Sequence, residues 1–215
     1  ASTVFHLAGI VSVMPGQQEL LQQVNVEGTS NVVKACQLTA VHRLVYTSSV
    51  HALVEPPFGT ALDETFPFDP ELVYGDYGKT KAQASLTVLA GVQQGLDAVI
   101  ACPSGIIGPY DYQPSIVGRL LLNAARGKLR GYVRGGYDFV DVRDVASGLV
   151  ALSEKGRKGN TYILSGEFMS IKEVTEVVNS LTGNHAFCPQ IPFPLAMFAS
   201  RIAERLQLLG ADGAH

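Results

Sequence analysis

The sequence predicts an α/β fold with a mainly parallel sheet and a smaller second lobe. Short apolar runs alternate with longer segments of helical spacing, which is the pattern of βαβ units. The first runs close on small residues or proline, at Ala8-Gly9, Ser48-Ser49 and Pro103-Ser104. After about Gly108 the glycine and aromatic content rises and the alternation loosens, which marks the second lobe.

The elements follow in order. Thr3 to Leu7 is a short apolar run closed by Ala8-Gly9 and reads as a buried parallel strand. Gln18 to Leu38 has helical spacing through Leu20, Leu21, Val24, Val32, Val33 and Cys36. Arg43 to Thr47 is the next strand. Val50 to Asp76 holds Pro56, Pro57, Pro67 and Pro70 and reads as a surface loop. Tyr77 to Gln94 is a helix stopped near Gly95, and Leu96 to Cys102 is a strand broken by Pro103-Ser104-Gly105. Beyond it the sequence predicts helix at Ser115 to Ala125, strand at Tyr137 to Val142 and helix at Val145 to Glu154. A short strand at Tyr162 to Leu164, a helix at Ile171 to Leu181 and an amphipathic helix at Leu195 to Leu209 complete the chain.

Composition narrows the function classes. A hydrophobic fraction of 47% with 16% charged residues describes a globular protein, and 215 residues bury a substantial core. The net charge is -3, and the most basic stretch, Arg119 to Arg134, is broken by apolar residues and glycines, so a nucleic-acid partner is not expected. Cys36, Cys102 and Cys188 are widely spaced, form no metal-ligand cluster and point to a reducing compartment. No apolar run approaches the ~18 residues of a membrane span and no signal-peptide pattern is present. The reading is cytoplasmic, with no membrane partner.

Chemistry enters at Tyr77-Gly-Lys-Thr-Lys81. Residues four apart share one helical face, so an ammonium can stand one turn from a phenol and favour phenolate. A hydroxyl from a neighbouring strand end, Ser48 or Ser49, can reach the same reacting oxygen. Such a set moves a proton to or from an alcohol or carbonyl while another group moves a hydride.

Six blocks then occur in order: Val4-Phe-His-Leu-Ala-Gly9, Asn25-Val-Glu-Gly-Thr29, Leu44-Val-Tyr-Thr-Ser-Ser49, Tyr77-Gly-Lys-Thr-Lys81, Pro103-Ser-Gly-Ile-Ile-Gly-Pro109 and Asp138-Phe-Val-Asp-Val-Arg-Asp144. Through them the chain resembles the extended short-chain dehydrogenase/reductase family, also called the NAD-dependent epimerase/dehydratase family. Within it the chain looks most like the dihydroflavonol reductase-like and 3β-hydroxysteroid dehydrogenase-like branch. The resemblance implies a Rossmann-type doubly wound sheet, NAD or NADP, and Ser-Tyr-Lys catalysis. It implies residues 1–108 as a partial dinucleotide-binding domain. Residues 109–215 would be mainly a substrate lobe, with some segments returning to the first domain. The family's opening Gly-x-x-Gly-x-x-Gly turn has no counterpart here, so the chain is expected to start at the family's fourth strand, without roughly its first third.

The resemblance assigns Tyr77 as general acid/base and Ser49, the last serine of its block, as the orienting hydroxyl. Lys81 would tune the phenol and anchor the nicotinamide ribose. Each has a plainer alternative: a surface tyrosine, a strand-end turn serine and a solvated helix lysine. Lys79 and Ser48 fit those alternatives, and Tyr74 has Gly78, not a lysine, four residues on. Leu7, Ala8 and Gly9 would pass their backbone close to the cofactor, Pro103 and Ser104 would flank the nicotinamide, and Asn25 is either a cofactor neighbour or a helix-interior asparagine. His6 reads as a core histidine, and His51 stays outside the catalytic set. No metal site is expected.

The function expected is interconversion of a carbonyl and a secondary alcohol on a partly apolar small molecule, with a homodimer left open. The alternatives are a nucleotide-sugar epimerase with tightly bound NAD and a dinucleotide-binding sensor without turnover. Val50-His-Ala-Leu53, in place of the Val-Tyr-Gly segment common in epimerases, favours the reductase. Retention of Ser49, Tyr77 and Lys81 together counts against the sensor.

Overall fold

The computed structural model describes residues 1–12, 16–184 and 188–198. Its elements are β1 (Thr3–His6), α1 (Gln18–Leu21), a π-helical turn (Gln22–Glu27), α2 (Gly28–Leu38) and β2 (Arg43–Thr47). A 3₁₀ turn (Val50–Ala52), α3 (Gly75–Gln93), β3 (Ala98–Pro103), β4 (Gly105–Ile107) and α4 (Ile116–Ala125) follow. Then come β5 (Gly136–Asp141), α5 (Val142–Lys155), β6 (Thr161–Leu164), β7 (Glu167–Ser170) and α6 (Ile171–Thr182). The chain divides into two units. The first is Ala1–Ile106 with Val140–Gly166, and the second is Ile107–Phe139 with the described residues from Glu167 onward.

The first unit is built on a parallel sheet in the order β1-β2-β3-β6. Strand alternation sends Leu44 and Tyr46 to one face and Val45 to the other. On the first face α2 and α3 pack Val33, Cys36, Ala84 and Val88 against Leu44, Tyr46 and Ile100. On the opposite face α5 packs Val145, Leu149 and Leu152 against Val45, Val99 and Ala101. With both faces covered, β2 and β3 read as unbroken apolar runs. This is the doubly wound, Rossmann-type arrangement that the sequence predicts. Arg43 fastens its amino-terminal edge: its guanidinium reaches Asp97 at 2.9 and 3.2 Å and the carbonyls of Leu152 and Ser153 at 3.3 Å each.

The second unit is smaller. β5 and β7 pair antiparallel from Gly136↔Ser170 to Phe139↔Glu167. Ser170 and Glu173 close a capping box at the start of α6, and Ser115 caps α4 by accepting from the Gly118 N–H at 2.9 Å.

Several element readings need correction. The expected helix from Gln18 to Leu38 is one continuous path, but its second segment is π-helical, which hydrophobic spacing does not register. β4 and β7, of three and four residues, were not foreseen; pieces this short carry no period of their own. α3 starts two residues before Tyr77, and α5 starts directly at Val142 because Asp141 serves as its cap, accepting from Arg143 N–H at 2.8 Å. Of the helix expected at Leu195 to Leu209, residues 195–198 are helical and the remainder lies outside the described residues.

Candidate active site

Three parallel strands end at the same edge, and the predicted residues follow those ends. β1 runs out into Leu7, Ala8 and Gly9, all exposed; β2 into Ser48 and Ser49, both buried; β3 into Pro103 and Ser104. In open α/β sheets this carboxyl edge is where ligands bind. All nine predicted site residues belong to the first unit.

α3 delivers Tyr77 in its first turn and Lys81 one turn later. The 3₁₀ turn after Ser49 packs on this helix so closely that a Cβ at position 78 would stand 2.7 Å from the His51 carbonyl oxygen. Only glycine permits that approach, and it fixes the spacing between the Ser49 turn and Tyr77. The Ser49 hydroxyl accepts from His51 N–H at 3.3 Å and stands close enough to the Tyr77 phenol to lower its pKa. His51 presents its ring edge-on to Tyr77, centroids 6.4 Å apart. Ser48 faces inward. Ser85 donates to the Lys81 carbonyl at 2.8 Å, so the 2.7 Å contact between the two serine hydroxyls has Ser48 as donor, tying β2 to α3. Lys79 and Tyr74 are exposed.

The electrostatics differ from the sequence expectation. Burial pushes the Tyr77 phenol above its ordinary range, and the neighbouring Ser49 hydroxyl pulls it partly back. The ammonium of Lys81 is not what dominates. Lys81 is itself buried and falls to about 8, with desolvation the largest cause. Its Nζ donates to the Thr47 carbonyl at 2.6 Å and lies 4.5 Å from the centroid of the Tyr46 ring. Burial also raises the Cys102 thiol, to about 12, so it stays protonated beside the set.

Asn25 sits in the π-helical turn, fully buried, with both amide atoms engaged. Its Oδ1 accepts from Ile10 N–H at 2.8 Å, and its Nδ2 donates to the Ile10 carbonyl at 3.0 Å and to Thr80 Oγ1 at 3.3 Å. It therefore clamps the loop after β1 to the helix that carries Tyr77 and Lys81. His6 is a satisfied core histidine, its Nε2 3.0 Å from Thr29 Oγ1. Neither the Thr80 link nor the Tyr46 ring was foreseen. Thr80 lies inside the Tyr77–Lys81 block, which was its only sequence signal.

The loop after β1 runs close to Lys81. A Cβ on Gly9 would lie 3.2 Å from Asn25 Oδ1 and 3.9 Å from Lys81 Nζ, so the bare backbone passes directly beside the ammonium. Across the edge, Ser104 Oγ is shielded from solvent and bonds to no atom of the described residues. Among those residues no cluster could hold a metal ion, and no helix is long and apolar enough to cross a membrane.

The chain is similar to known proteins. The chain is 34% identical over 208 residues to sterol demethylase protein B of Methylococcus capsulatus, covering 96% of this chain and 60% of that protein. It is 33% identical over 207 residues to a putative dihydroflavonol 4-reductase of Synechocystis, covering 94% and 60% respectively. The chain thus spans three fifths of the length of these curated relatives, at 60% of each. The crystal structure of gox2253 superposes with a TM-score of 0.83 at 31% identity, covering 96% of this chain and 64% of that one. A dTDP-glucose 4,6-dehydratase solved with NAD bound, DesIV from Streptomyces venezuelae, shares the fold with a TM-score of 0.78 at 20% identity. The model of the NAD dependent epimerase/dehydratase family matches residues 1–165, and the chain belongs to that family.

Proposed function

We propose that this chain carries the proton-handling half of an NAD(P)-dependent oxidoreductase that interconverts a carbonyl and a secondary alcohol. The observation that carries the reading is the packing of the Ser49 turn on the first turn of α3, which presents Tyr77, with Lys81 one turn away on the same helix. The family, and relatives named as reductases and as a 3β-hydroxysteroid dehydrogenase/decarboxylase, support it.

The nicotinamide cofactor supplies or takes the hydride when bound. In the reduction direction Tyr77 Oη gives its proton to the carbonyl oxygen of the substrate; in the oxidation direction the phenolate takes it back. Ser49 Oγ holds the same oxygen and the phenol in line. Leu7, Ala8, Gly9, Pro103 and Ser104 would hold the cofactor, and Lys81, beside Gly9, would bind its ribose. Asn25 acts on the loop after β1 through Ile10. A partly apolar substrate accords with the relatives' names, and the three unpaired cysteines support a cytoplasmic setting.

The test is Tyr77→Phe in the intact protein, assayed with NADH and NADPH against ketones and aldehydes. We expect turnover to fall by about 10²-fold or more with cofactor affinity retained. Near-full turnover would overturn the reading. Cofactor that co-purifies and is never consumed would favour the epimerase.

A further inference from the structure

Tyr46 is fully buried on β2, and the chemistry above makes no use of it. Its hydroxyl makes no hydrogen bond of ordinary geometry among the described residues, with Thr29 nearby only lowering its pKa. What the side chain presents to Lys81 is the ring. Lys81 Nζ stands over that ring at 4.5 Å from the centroid while donating to the carbonyl of Thr47, the next residue along the strand. Among the described residues Lys81 forms no ion pair. A buried ammonium without a carboxylate needs another source of negative potential, and the face of an aromatic ring supplies it most effectively where water is excluded.

The titratable groups around Lys81 leave this role to the ring. His6 approaches from β1 and stacks on Tyr46 with centroids 5.4 Å apart. Thr29 donates to the Asn25 carbonyl at 2.6 Å, so His6 Nε2 must be the N–H donor in its contact with Thr29. Burial and the charge of Lys81 both keep His6 neutral. Cys102 approaches from β3 as a protonated thiol, and Tyr77 lies one turn earlier on α3.

We propose that Tyr46 is the positioning residue for Lys81: its ring face holds the buried ammonium charged and fixed at the Thr47 carbonyl, beside Gly9. The proposal rests on the role given to Lys81 above, but its test reads the lysine itself. In the intact protein without cofactor, trace acetylation with acetic anhydride over a pH series, followed by mass spectrometry of the Lys81 peptide, gives the midpoint of Lys81. Tyr46→Phe keeps the ring and is expected to leave that midpoint unchanged. Tyr46→Leu removes the ring and is expected to lower it by about one pH unit, the equivalent of a buried cation–π contact. An unmoved midpoint in Tyr46→Leu, or an equal fall in Tyr46→Phe, overturns the proposal. Should Tyr46→Leu not fold, Lys81→Met is added. Recovery of the double variant supports the proposal, because the uncompensated ammonium is gone, and continued failure to fold overturns it. Full turnover by Tyr77→Phe would sink the oxidoreductase reading without moving the Lys81 midpoint, so the two failures are distinct.

Discussion

At the scale of the residue, the site turns on two groups whose burial opposes their charged forms. Desolvation raises the phenol of Tyr77 and lowers the ammonium of Lys81, so neither charge comes free in this environment. The Ser49 hydroxyl is the group that pulls the phenol down. In the proposed reaction alcohol oxidation needs the phenolate, so kcat/KM for oxidation is expected to rise as pH climbs through the phenol's pKa. Removing Ser49 releases the phenol upward, and the limb must move to higher pH. For Ser49→Ala we expect that displacement, with neutral-pH turnover reduced about 10²-fold, the usual loss for one donor to a developing oxyanion. A pH–rate profile checks it, and a limb that stays in place would remove Ser49 from the proton path. The spacing of Tyr77 and Lys81 was legible in the sequence. The direction of the phenol's shift was not, because an interval of four residues fixes proximity and says nothing about how much water remains.

At the scale of the element, the site depends on how tightly the turn after β2 sits on α3. Gly78→Ala would put a Cβ 2.7 Å from the His51 carbonyl, and backbone on both sides leaves no flexible atom to yield. The expected cost is about 1–3 kcal/mol, read as a lower Tm, with a fall in kcat as Tyr77 moves relative to Ser49. An unchanged Tm with full turnover would show that the close approach has no consequence. The π-helical turn acts at this scale too. It gathers Asn25, Ile10 and Thr80, three positions far apart in sequence, and π-bulges recur at functional sites for this kind of reason. The sequence showed a helix there and an asparagine in it. Whether that asparagine meets a ligand or its own chain depends on which way the extra residue turns it, and hydrophobic periodicity is blind to that.

At the scale of the whole molecule, the proline-bearing segment between β2 and α3 is held to the sheet it crosses. Leu62, Phe66 and Phe68 pack on the core, and Glu64 accepts from the Ile163 N–H of β6 at 2.9 Å. β6 ends the sheet order, so this carboxylate occupies an edge amide that would otherwise be open to pairing. Glu64→Ala should speed amide exchange at Ile163 by about tenfold, the equivalent of one net hydrogen bond, and raise proteolysis between residues 54 and 74. Unchanged exchange would assign the holding to the apolar anchors alone.

Read alone, the sequence established the parallel core, the three strand ends and the order Ser49, Tyr77, Lys81. These follow from local facts: apolar runs, punctuating glycines and prolines, and a four-residue interval. Tertiary structure decided that Ser48 faces Ser85 while Ser49 stands beside Tyr77, that Asn25 bonds to Ile10 and Thr80, and that an aromatic ring lies beneath the lysine. Those outcomes depend on register between strands and on the depth of burial, which are set by contacts across dozens of residues and leave no trace in spacing.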